Sequence, residues 1–218
     1  MTENEWLNCG DSTVMLRHLQ YRGDNYDRKL RLFACACCRR IWEEIPDSRS
    51  QNAVEMAERY ADGFATEEEM NAASHMALDA SDQAQAMDWE NAANAAYSAS
   101  ACGISAFDVA IYASVDSCDV YEECGDNRYH ERIIQAHILR DIVGNPFKPR
   151  TFQTQWKTQT IIQLSQSMYD DRDFTAMSIL GDALEEAGCT NEEILRHCRE
   201  RDLHVRGCWL VDLVLGKE

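Results

Sequence analysis

Between Gly188 and Glu218 the chain carries five side chains able to ligate a metal or act on an electrophile: Cys189, His197, Cys198, His204 and Cys208. Thiolate and imidazole are the donors that zinc takes, and four of them close a tetrahedral site. Zinc is therefore the one cofactor this stretch suggests. The spacing Cys-x8-Cys-x5-His-x3-Cys lacks the short Cys-x2-Cys knuckle of recognised zinc modules. Cys198 also shares a helical face with apolar neighbours, so the preferred reading is packing thiols beside loop histidines, with no cofactor. A third reading makes Cys208 a nucleophile. It follows Gly207 at a helix start, where a thiolate is favoured, and His204 or His197 would be its base. Cysteine catalysis also needs an oxyanion site and a cleft, and the sequence displays neither.

Other reactive residue types have plainer readings. Cys35 and Cys38 have a Cys-x-x-Cys spacing, but they lie two turns inside a helix rather than at its N-terminus, and read as core packing. His130 and His137 fall on one side of a helix near Glu131 and Asp141 without the HExxH spacing of zinc proteases. Arg39, Arg40, Arg199, Arg201 and Arg206 would form an anion patch if the first core helix packed near the C-terminus. Walker, GxGxxG and GxSxG motifs are absent, so nucleotide binding and hydrolase chemistry find no support.

These residues must be positioned by helices. The segment from Gly207 to Leu215 is apolar all round except for Asp212, the pattern of a buried central helix, with a buried strand as the competing reading. A carboxylate there needs a partner, and Arg206, Arg39 and Arg40 are the candidates. In the segment 28–45, Leu30, Phe33, Ala34, Cys37, Cys38, Ile41 and Ile45 line one helical face, with arginines opposite. Helix starts are signalled by Thr2-x-x-Glu5, Asp11-Ser12, Asp47-Ser48, Thr66-x-x-Glu69 and Thr190-x-x-Glu193. A helix is expected from Arg128 to Val143, stopped by Gly144-Asn145-Pro146, and 147–155 reads as irregular. A turn is expected at 23–26.

The net charge of −17 is unevenly placed: residues 61–127 hold fourteen acidic and no Lys or Arg side chains, while the flanks sum to −1 and −2. The acidic segment would repel phosphate backbones, which excludes nucleic acid and leaves either a solvated face or a surface for a basic partner. Seventeen alanines between Ala61 and Ala113 favour closely packed helices, which Gly103 divides. No apolar run of eighteen residues and no leader at Met1 direct the chain to a membrane, so ten cysteines read as reduced thiols in the cytoplasm.

The blocks EWL, DRKLRLFACACCRRIW, VEMAERYADG, RDIVGNPFKP, ILGDALEEAGC and HCRERDLHVRGCWLVDLVLGK resemble those of a large family of uncharacterised bacterial proteins, in which they flank an alanine-rich middle of variable length. The resemblance covers nearly all of the chain outside 66–127. It implies a bacterial cytoplasmic protein and one folded unit with a tolerant insertion, and it implies no reaction.

The expectation is thus an all-α protein: a single domain over 1–218, a bundle of about eight to ten helices, with 66–127 inserted as an acidic helical hairpin. The expected function is a non-catalytic protein–protein interaction or regulatory module whose partner presents a basic surface. The alternative is a metal- or cysteine-dependent enzyme centred on the C-terminal Cys/His cluster.

Overall fold

A computed structural model describes residues 1–22, 25–84, 89–101, 103–123, 128–200 and 203–217. The turn expected at 23–26 falls partly outside them, and Arg201 lies outside them too. The protein is all-α, with no strand among the described residues. Its helices are α1 (Glu3–Asn8), α2 (Ser12–Gln20), α3 (Asp27–Arg40), α4 (Ser48–Ala61), α5 (Glu67–Ala84), α6 (Glu90–Ser100), α7 (Ala106–Glu123), α8 (Arg128–Val143), α9 (Gln159–Asp171), α10 (Met177–Glu186), α11 (Glu192–Arg199) and α12 (Trp209–Leu215). Where the sequence suggested one domain, the chain gathers into two compact units, Met1–Leu139 and Arg140–Glu218. Periodicity marks which faces are apolar but not which helices share a core.

The first unit is organised around α3. Its apolar face buries Leu30, Phe33, Ala34, Cys37 and Cys38. On its polar edge, Arg39 pairs with Glu58 (3.0 Å) and Arg40 with Glu131 (2.7 Å). The segment 66–127 is not a hairpin laid against one side. Its described residues form three helices, and Ala92, Ala95, Ala96, Ala99, Val109 and Ala113 share a core with Ala34, Cys35 and Cys38 of α3. One-carbon side chains let these helices approach closely, and alanine on every face conceals in the sequence which side faces inward. Gly103, with φ +81°, separates α6 from α7.

The second unit wraps α9, α10, α11 and α12 around Trp156, Tyr169, Leu180, Leu184, Leu210 and Val214. Asn191, not Thr190, caps α11, its side chain accepting from the amides of Glu193 and Ile194. Helix α12 buries Leu210, Val211 and Val214 completely. Its Asp212, 1% exposed, is the buried acid expected from the sequence.

Candidate metal centre

All the residues of the centre lie in the second unit. Asp141 sits in the last turn of α8, among the buried Ile142 and Val143, just before Gly144 turns the chain with φ +70°. His197 is near the end of α11, beside Cys198, at the margin of that helix's apolar stripe. The connection between α11 and α12 supplies the rest. There the Cys208 amide donates to the Val205 carbonyl (2.9 Å), closing a four-residue turn, and Gly207 takes φ +95° at its third position. Such a turn calls for glycine at that place, and it sets His204 and Cys208 side by side. The Val205 amide donates to Asp141 Oδ2 (3.0 Å), seating the connection against the end of α8.

Four donor atoms then converge, one each from Asp141, His197, His204 and Cys208, all within 4.8 Å of one another. His204 Nδ1 lies 2.7 Å from Asp141 Oδ1. His197 Nε2 lies 3.2 Å from Cys208 Sγ and 3.4 Å from Asp141 Oδ1. The imidazoles of His197 and His204 meet edge to face, and Trp209 covers His197 with ring centres 4.9 Å apart. The Asp141 and His204 side chains are only 4% and 5% exposed, and that of His197 is 16% exposed. Burial pushes the Cys208 thiol well above its ordinary range, the charge of Asp141 adds to this, and the amides of Val211 and Leu210 oppose it.

Two features decide what this arrangement can do. Among the described residues no Lys or Arg pairs with Asp141; the imidazoles of His197 and His204 stand against it. A buried carboxylate without a cation is costly, and proteins resolve the cost by pairing it or by giving it a metal. Secondly, a single nitrogen of His197 faces both the sulfur and the carboxylate. A Cys–His–Asp relay needs opposite ring nitrogens for these two contacts, whereas ligands around a common point need one. Zinc bonds of about 2.0–2.3 Å place tetrahedral ligand atoms roughly 3.3–3.8 Å apart, inside the observed spread. The donor set, two imidazoles with one thiol and one carboxylate, fits zinc. A cavity of about 20 Å³ lined by Asn145, Arg150, Asn191 and Trp209 has room for about one water.

Of the five residues singled out in the sequence, the structure brings together His197, His204 and Cys208. Cys189 and Cys198 lie elsewhere, in the apolar core with Leu180, Leu184 and Ile194. Burial, with Cys189 nearby, pushes the Cys198 thiol up to about 12. Asp141 is the candidate donor that sequence reasoning missed, having grouped it with His130 and His137, both of which are exposed. Its signal was the one usable for Asp212: an acid interrupting an apolar helical turn. Cys35 and Cys38 are buried inside α3, where burial raises both thiols. The arginines offered as an anion patch have local partners: Arg39 holds Glu58, Arg40 holds Glu131, Arg199 holds Asp182 and Glu185, and Arg206 lies 4.6 Å over the Tyr169 ring.

Among the described residues no helix is long and apolar enough to cross a membrane. Comparison with protein-family models, with curated proteins and with solved structures finds no match to this chain.

Proposed function

We propose that this is a metal-binding helical protein, in which Asp141, His197, His204 and Cys208 hold one zinc ion that serves structure rather than catalysis. The observation that carries this reading is Asp141: buried, without Lys or Arg among the described residues, and facing three further zinc donors. Four protein donors fill a tetrahedral shell and leave no position for substrate, the mark of a structural site. Metal analysis of the native protein tests it, with one zinc per chain expected. The ion is lost in Asp141→Asn and Cys208→Ser and retained in Cys189→Ser and Cys198→Ala. Absence of bound metal in the presence of excess zinc removes the reading.

We also read the chain as a non-catalytic interaction module of the bacterial cytoplasm. Support comes from the eight described cysteines, all free thiols, as suits a reducing compartment. It comes too from the exposed acids Glu67, Glu68, Glu69, Asp79 and Asp82 on α5, in a stretch without Lys or Arg that suits a partner with a basic surface. Partner capture that weakens with salt and is lost when these five acids become amides supports that reading; capture unchanged in that variant counts against it.

A further inference from the structure

We infer that the centre selects its ion by charge, and that Asp141 is the residue that decides for a divalent ion against a monovalent one such as the cuprous ion. The inference rests on the metal reading above and adds to it the class of ion that the site takes. A thiol that ligates a metal gives up its proton, so Cys208 brings one negative charge to the ion. Asp141 brings a second, and imidazoles that ligate are neutral. The four donors together therefore balance a divalent ion and leave one negative charge over when the ion is monovalent.

The surroundings make that balance count. The side chains of Asp141 and His204 are almost wholly buried, and Cys208 packs in the apolar core with Leu210 and Val211, where an uncompensated charge is costly. The carboxylate is also aimed: the Val205 amide donates to Oδ2 (3.0 Å), and Oδ1 is the oxygen that faces His204 Nδ1 (2.7 Å) and His197 Nε2 (3.4 Å). Donor softness alone points elsewhere, because sulfur draws cuprous ions. The two effects separate at position 141. A neutral donor there keeps the sulfur of Cys208 and removes one charge, so softness forecasts no change in preference, whereas charge forecasts that zinc loses more than the cuprous ion. A unit charge at bonding distance shifts the relative affinity of ions differing by one charge by about tenfold or more, even at the dielectric constant of water.

The test titrates the full-length protein in zinc buffers and in cuprous buffers of fixed free-ion level. Occupancy is read from the imidazole NMR signals of His197 and His204, which report this centre alone, so that thiols elsewhere in the chain do not contribute. Asp141→Asn and Asp141→His each put a neutral donor in place of the carboxylate, and each is expected to shift the ratio of zinc to cuprous affinity by about tenfold or more toward the cuprous ion. Cys189→Ser, which lies away from the centre, is expected to leave the ratio as in wild type. Zinc that binds the wild type with a ratio unmoved in both Asp141 variants overturns selection by charge and leaves the metal reading standing. A greater loss of cuprous than of zinc affinity in those variants also overturns it. A wild type that binds no zinc removes the metal reading first, and the selection with it.

Discussion

The carboxylate of Glu131 grips the guanidinium of Arg40 through two 2.7 Å hydrogen bonds, from Nε and from Nη2, with the Glu131 side chain only 2% exposed. Taking one partner away from such a pair leaves a buried charge, which costs about 3–5 kcal/mol, whereas replacing both with apolar groups costs far less. Urea unfolding should therefore show Arg40→Met as severely destabilising and Arg40→Met/Glu131→Met as restoring most of the loss. Equal losses in the single and the double variant would mean that the pair is not a unit.

Asp116 of α7 gives a pH prediction. Burial raises its carboxyl to about 6, against the hydrogen bond that Ser98 donates to it. A folded-state value above the unfolded one means that protonation favours the fold. Its contribution is full below pH 3.8 and is lost as pH rises through about 6. Asp116→Asn should stabilise the protein at pH 7.5 by about 1–2 kcal/mol, discounted for partial exposure, and flatten the decline in stability between pH 4 and 6.5. Thermal melts across that range measure it, and a variant no more stable than wild type at pH 7.5 refutes it.

The thiols should differ sharply in reactivity. Cys9 is partly exposed, whereas Cys35, Cys37, Cys38, Cys118, Cys189, Cys198 and Cys208 are buried. Desolvation also holds Cys118 at about 11 and Cys198 at about 12, keeping thiolate scarce. In native protein, iodoacetamide followed by peptide mapping should modify Cys9 well before these seven. Rapid labelling of Cys208 in zinc-bound protein would speak for a reactive thiol, not a ligand.

Gly181 of α10 faces α11 with no room to spare: a Cβ there would stand 2.8 Å from Cys198 Cβ. Because that atom is fixed to the α11 backbone, the helices must separate, and Gly181→Ala should cost about 1–3 kcal/mol despite alanine's better helix propensity. Denaturant melts should show the loss. A gain in stability would place α10 and α11 further apart than described.

Much of the fold was legible because it is local. Thr2, Asp11, Asp47 and Thr66 make the capping bonds that their spacing announces, and α3 buries the face that a helical period picks out. The shift from Thr190 to Asn191 has a local cause too, since either short polar side chain can reach the first amides and only the backbone decides. The centre was legible in part. Donor chemistry flagged His197, His204 and Cys208, but the fourth donor, Asp141, reaches them through packing of α8, which no spacing rule encodes. Cys189 and Cys198 have the right atoms facing the wrong way, because the apolar stripe of Leu180, Leu184 and Ile194 draws them inward.

The alanine seams between α5, α6 and α7 set a limit on what variation can do there. Ala77, Ala80, Ala92, Ala93, Ala96, Ala99 and Ala110 are all but inaccessible to solvent, so any heavier residue must wedge two helices apart. The exposed acids of the same helices meet no such constraint. Change in this stretch is thus channelled outward: its solvent side can be rewritten freely, whereas its inner lining is frozen at the size of a methyl group.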